Sequence, residues 1–444
     1  MKDAVARFMI KTRTSLSMVA VVMMILAGLS ACTSGSSGSN NFTNSTPITI
    51  GASLSNKSDF AADGAAVEKG YRLWAQTVNN NGGLLGRPVQ LVILHDDSDP
   101  QHVANNYKTL ITKYHVDLVV GPFSTMLTKA AAPVVASANY AFLEGSGGGP
   151  SVFDLNKNLK PPVIFDVSVP VANNLVTFAD YILSLPKSLS SNTLRPQTAA
   201  YATSDDPFTQ PQLQKAEEIM MQGGIKTVYS NSGLLSSDGQ PYPADDPKYV
   251  TKFIPGVAEK IVKSHAQVVL LGTQFPDVQA YLNIFKKDHY NPQAIIATAG
   301  PDQGQDFVKA VGGTKFTEGM FVPNGWYPQA NNFENAQMVQ DYLAQYGGNA
   351  NDINADVAEA YSVGQVLEQA VTKIHSIKNS DLINELHNDV FNSVQGPVQF
   401  PTSQNGANSQ SLTYLFQWQG GNFLPVYPSS VAAQNPEFPK SKNY

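Results

Sequence analysis

Residues 79–100 read NNNGGLLGRPVQLVILHDDSDP. The asparagines and the Gly82-Gly83 pair stop a helix, because both residue types tolerate the left-handed backbone that a helix end needs. Val89 to Leu94 is then an apolar strand closed by acidic and serine turn residues. Upstream, residues 64–80 carry Val67, Tyr71, Trp74 and Val78 three or four apart, the stripe of a helix packed on one face. Ile48-Thr-Ile-Gly-Ala before it is a short strand. Downstream, a helix over 100–114 leads to the strand Val116-Asp-Leu-Val-Val-Gly121. A helix over 125–139 and a strand over 140–143 follow. Continuous apolar strands separated by helices imply a parallel sheet covered on both faces.

The pattern recurs further along. Residues 198–203 and 267–272 are strands, with helices over 210–222 and 257–264 between them. The fold class expected is α/β, with two doubly wound parallel-sheet lobes. An apolar content of 42% over 444 residues can supply two such cores. The formal net charge is −6 and no basic run occurs after Arg13, which argues against nucleic acid as a partner.

Near the N-terminus, Lys2, Arg7, Lys11 and Arg13 precede an apolar stretch from Met18 to Leu29, then Ser30-Ala31-Cys32. The apolar run is about a dozen residues, short of the roughly 20 that a membrane-spanning helix needs. This order is that of a secretory signal over 1–31. Cys32, the chain's only cysteine, directly after Leu-Ser-Ala resembles a bacterial lipobox, which implies a lipidated residue and a membrane anchor. Residues 33–47, TSGSSGSNNFTNSTP, are uncharged and too polar to bury surface, so 32–47 is expected to be a flexible tether.

The segments Gly70-Tyr-Arg-Leu, 79–88, and Leu91 to Asp97 with Asp99-Pro100 resemble the N-terminal lobe of branched-chain amino-acid-type binding proteins. These are the type I periplasmic solute receptors of ABC transporters. Residues 117–125 (DLVVGPFST), 359–367 (EAYSVGQVL), 396–400 (GPVQF) and 416–423 (FQWQGGNF) resemble later motifs of the same family, in order. The resemblance implies a periplasmic binding protein type I body with three crossovers, near 165–170, 320–323 and 395–398. Lobe 1 is then 48–167 plus 323–395, and lobe 2 is 168–322 plus 396–428. Residues 429–444, with two prolines and a third just before them at Pro428, form an extended tail or strap with no assigned function.

In doubly wound sheets ligands sit beyond the carboxyl ends of the strands. The loops at 53–63, which contains Phe60, at 121–125, at 144–150 and at 204–208 lie in such places. The resemblance implies that Ser124 and Thr125, together with Glu144, Gly145 and Ser146, hold the polar end of the ligand. Gly148 stands where the family places a threonine hydroxyl, which departs from amino-acid binders. The run EGSGGGP also fits a surface turn. Phe208 and the Gln274-Phe275 pair match the aromatics of the second lobe. Trp326 fits either a residue closing over the ligand or one packing a lobe. The family's ammonium-pairing acid aligns with Ala299, which weighs against a cationic amine, although Glu144 could supply charge from the other lobe.

Enzyme signatures fail. Gly145-Ser146-Gly147 lacks the glycine two before the serine that a nucleophile elbow needs, because Glu144 is there. The seven histidines are scattered, and no thiolates remain for structural zinc. Asp96, Asp97 and Asp99 suit a helix cap better than a calcium loop. No catalytic residue, metal or cofactor is therefore expected. The expected protein is a monomeric lipoprotein, anchored to a bacterial membrane in the periplasm or at the cell surface. It captures a small polar solute (an amino acid, amide, urea-like molecule or carboxylic acid) and delivers it to an ABC permease. A ligand-sensing or partner-activating lipoprotein on the same fold is the alternative.

Overall fold

The computed structural model describes residues 42–187, 195–204, 206–231 and 253–442. The signal segment, Cys32 and tether residues 32–41 lie outside the described residues.

Strands β1 (Ile48–Leu54), β2 (Val89–His95), β3 (Leu118–Val120), β4 (Phe142–Glu144) and β5 (Ile164–Asp166) alternate with α1 (Ala61–Asn80), α2 (Pro100–Thr112), α3 (Thr125–Ser137) and the single turn α4 (Pro150–Phe153). They make an all-parallel sheet of order β2-β1-β3-β4-β5. The predicted stripe holds: Val67, Tyr71, Trp74 and Val78 are all buried on α1. Asp99 caps α2, accepting from the backbone N–H groups of Gln101 and His102.

The second sheet repeats the winding. Helices α5 (Val176–Ser184), α6 (Thr209–Gln222), α7 (Ile254–Ser264), α8 (Phe275–Lys287), α9 (Gly304–Val311) and the short α10 (Thr314–Thr317) accompany β6 (Thr198–Thr203), β7 (Lys226–Ser230), β8 (Val268–Gly272), β9 (Ala294–Ala297) and β10 (Met320–Asn324). Those five strands run parallel in the order β7-β6-β8-β9-β10.

After β10 the chain returns to the first sheet as α11 (Asn335–Tyr346), α12 (Ala355–Ile374) and α13 (Asn379–Asn388). α12 packs on α1, with its Val363, Val366 and Leu367 in the same apolar core as Trp74. Strands β11 (Val390–Ser393) and β12 (Gly396–Gln399) pair as a separate hairpin. β13 (Tyr414–Gln419) and β14 (Asn422–Tyr427) then add antiparallel strands to the edge of the second sheet.

The hairpin corrects two boundaries. The family resemblance places residues 396–400 in lobe 2, yet Val398 and Phe400 are buried in the core of the first sheet. Residues up to Ser409 stay with that lobe: Asn156 donates to Asn405 O, Asp166 bridges to Ala407, and Ser409 donates to Gln399 O. The third crossover therefore lies at 410–412, not at 395–398. Thr413 already meets Thr177 of the second lobe. The other two crossovers fall at 168–171 and 324–326. They touch each other where Gly325 packs against Val169, and both meet Gln395 of the first lobe, to whose Oε1 Ser168 Oγ donates at 3.0 Å.

The two ends of the body are also pinned. Thr43 and Asn44 donate to Gly86 O, and Arg87 donates to the carbonyls of Thr46 and Pro47, so 42–47 is docked rather than free. The tail straps the second lobe. Gln417 and Glu437 exchange two hydrogen bonds, Phe438 stacks edge-on to Tyr181, and the buried Lys440 donates to Asn291.

Candidate functional site

Each sheet reverses direction of winding between its first and third strands, and there the loops diverge to leave a crevice. In the first lobe the reversal lies between β1 and β3, and Phe60 meets Phe123 edge-on at 5.5 Å across it. In the second it lies between β6 and β8, where Gln274 Nε2 donates to Asp206 Oδ2 at 3.3 Å. The two crevices face each other. Gln303, in the loop after β9, donates to Asp63 on the first turn of α1 at 2.8 Å, and Gly149 lies against Pro207 O of the other lobe.

The loop after β4 forms the centre of the first wall. Glu144 ends its strand beside Asp166 of β5, and both are fully buried. Glu144 Oε2 accepts from the Gly147 N–H, which turns the loop inward. Ser146, the one residue of 144–149 left partly open, donates to Glu359 Oε2 on α12 at 2.7 Å. Gly145 lies on the backbone of Glu359. A β-carbon at Gly148 would sit 2.3 Å from Asp166 Oδ2. The Asp166 carboxylate thus occupies the space in which a threonine side chain would stand, and this explains the departure seen in the sequence.

The other expected residues divide into two groups. Phe60, Phe208, Gln274 and Phe275 lie at the strand-end loops, and all but Phe60 are half-exposed. Ser124 is a helix cap: at φ 81° its hydroxyl accepts from the Leu127 N–H, so its oxygen is engaged by α3. Thr125 is buried beneath the loop with its hydroxyl unpartnered among the described residues. Of the two readings of Trp326, the lobe-packing one holds and the ligand-closing one is corrected. The residue is 1% exposed in the core of the first lobe, and its indole N–H donates to Asn335 Oδ1 at 2.6 Å. A ring with no free face cannot close over a solute.

Sequence reading missed the acids. Asp356 and Glu359 stand three apart at the start of α12, a spacing that puts both on one face. Asp302 follows Ala299 by three residues and meets them from the second lobe. Burial raises Asp302 to about 6, aided by Asp63, and raises Glu359 to about 7. Burial likewise lifts Asp166 to about 8 and drives Glu144 well above the carboxylate range, with Asp166 adding repulsion. Asp356 is raised well above the carboxylate range by burial and then by repulsion from Asp63. The signal available was the set of acidic residues at helix starts next to strand-end loops.

Two α/β lobes, joined by three crossovers and opposing their strand-end loops across a polar cleft, define a hinged small-molecule receptor. The chain belongs to the periplasmic binding protein family, whose sequence model matches residues 47–422. Solved structures share the fold. A putative branched-chain amino acid ABC transporter protein from Silicibacter pomeroyi superposes with a TM-score of 0.73 at 15% identity, covering 89% of this chain and 99% of its own. A branched-chain amino acid transporter substrate-binding protein from Streptococcus pneumoniae, solved with isoleucine, gives 0.68 at 16% identity, covering 85% and 98%. An ABC transporter solute-binding protein from R. palustris, solved with benzoate, gives 0.68 at 15% identity, covering 88% and 98%.

Proposed function

We propose that this protein is an extracytoplasmic receptor that captures a small polar solute between its lobes and presents it to an ABC permease. Acylation of Cys32 holds it at the membrane, with the segment up to residue 41 as the leash. The observation that carries the reading is the meeting of strand-end loops from both lobes at one cleft, bridged by the bond between Gln303 and Asp63. Family membership and the solutes named with structural relatives, isoleucine and benzoate, support a small-molecule ligand. Hinge closure about a ligand is a recurrent device of such receptors.

A thermal-shift screen of the purified protein tests the reading. A solute present at 100 times its Kd should stabilise the folded form by about 2.7 kcal/mol. If no small solute raises the melting temperature, the receptor reading gives way to a lipoprotein that activates a partner. Cys32→Ala should move the protein from the membrane to the soluble fraction with its solute affinity unchanged. A variant that stays with membranes would remove the lipid anchor from the proposal.

A further inference from the structure

Among the described residues, the side chains placed at the cleft and behind its glycine loop are acidic or neutral. From the first lobe come Asp63 on α1, Asp356 and Glu359 on α12 and Ser146 of the glycine loop, with Glu144 and Asp166 fully buried behind that loop. From the second come Asp206, Gln274, Asp302 and Gln303. Among the described residues, no lysine, arginine or histidine forms an ion pair with Asp63, Glu144, Asp166, Asp302, Asp356 or Glu359. Lys57, at the loop after β1, is engaged with Asp97.

A second observation is independent of that charge pattern. Glu144 Oε1, Asp166 Oδ2 and the hydroxyls of Thr125 and Thr128 have no hydrogen-bond partner among the described residues, although all four side chains are fully buried. They converge on the glycine loop: Asp166 Oδ2 points at Gly148, and Thr128 Oγ1 and Glu144 Oε2 lie against Gly147. Buried polar atoms without partners are costly, and carboxylate oxygens more so. The backbone N–H of Gly147 is already turned to Glu144 and is not free to bind an anion. A solute carboxylate would meet like charge from Asp302 across the cleft, which ionises above about pH 6. A solute bringing positive charge and N–H groups would satisfy both features of the wall at once.

We propose that the solute is a small organic cation bearing N–H donors and no carboxylate, such as a primary diamine or a guanidinium compound; this rests on the receptor reading above. Its charge stands between Asp302 of the second lobe and Asp63, Asp356 and Glu359 of the first, so binding draws the lobes together. The cation displaces protons held by these acids, which makes its affinity rise with pH.

The test uses the purified full-length chain with 1,4-diaminobutane and methylguanidine as probes, and with leucine and benzoate as comparators. Thermal shift and titration calorimetry should detect one or both cations and neither comparator. Affinity should strengthen between pH 5.5 and 8, and calorimetry in two buffers of different ionisation enthalpy should register proton release. Asp302→Asn and Glu359→Gln, which preserve shape, should each weaken the cation by about 10- to 100-fold, with the unliganded melting temperature unchanged or higher. Binding of leucine or benzoate without either cation overturns the solute class and leaves the receptor reading standing. Binding of no solute overturns both. A cation whose affinity ignores both substitutions overturns the site.

Discussion

Asp166 shows how one buried carboxylate dictates the residue opposite it. With its Oδ2 aimed at Gly148, any β-carbon there collides, and the strand-end position of Asp166 leaves it little room to withdraw. Gly148→Ala should therefore cost about 1–3 kcal/mol by overpacking. Gly148→Ala combined with Asp166→Ala should recover most of that loss, since the second change removes the obstructing group; urea denaturation of the three variants measures the coupling. Additive losses would place the strain elsewhere in the loop. Trp326 supplies a contrasting case. Trp326→Phe deletes the donor to Asn335 and should destabilise by about 1–3 kcal/mol, yet leave solute affinity unchanged in calorimetry. An affinity loss of tenfold or more at full stability would return the ring to the cleft. The glycine at 148 and the acid at 166 were both visible in the sequence. Their juxtaposition was not, because 17 positions and a change of strand separate them, and only the parallel register of β4 and β5 brings their ends together.

At the scale of elements, the helical stripes and apolar strand runs were legible because each is a local consequence of burying one face or two. The α1–α12 contact was not, since it joins segments nearly 300 residues apart: Trp74 Nε1 donates to Glu368 Oε2 at 3.1 Å, and Gly364 lies flat beneath the indole. A β-carbon on Gly364 would come within 2.2 Å of the Trp74 ring, and one on Gly70 within 2.4 Å of Val357 O. Gly364→Ala should push the helices apart and lower stability by about 1–3 kcal/mol, readable as a drop in melting temperature. Trp74→Phe in the same chain should return part of it by making room. The misplaced third crossover has the same origin. An alternating strand such as Gly-Pro-Val-Gln-Phe announces that one face is buried, but not which lobe buries it. Here Val398 and Phe400 fill the first core beside Phe165, with His387 bridging the carbonyls of Phe400 and Pro162.

For the whole molecule, the decisive fact is that acids from separate segments are gathered at one cleft, and gathering them has a cost that depends on pH. Folding lifts Asp302 to about 6, Glu359 to about 7 and Asp166 to about 8, from ordinary values of 3.8 or 4.5, chiefly through burial. Between about pH 4 and pH 8 the folded chain therefore holds more protons than the unfolded chain, and stability falls as pH rises. The contribution is complete below the unfolded values and is lost as pH passes through the folded ones. Asp389, held low by Lys373, acts in the opposite sense, but only as pH falls below the ordinary carboxylate range. The melting temperature of the unliganded protein should consequently decline from pH 5 to pH 8. Glu359→Gln and Asp302→Asn should flatten that decline, since an amide keeps the shape and removes the titration. A melting temperature that rises across this interval, or a slope unaltered in both variants, would show that these acids do not carry the linkage.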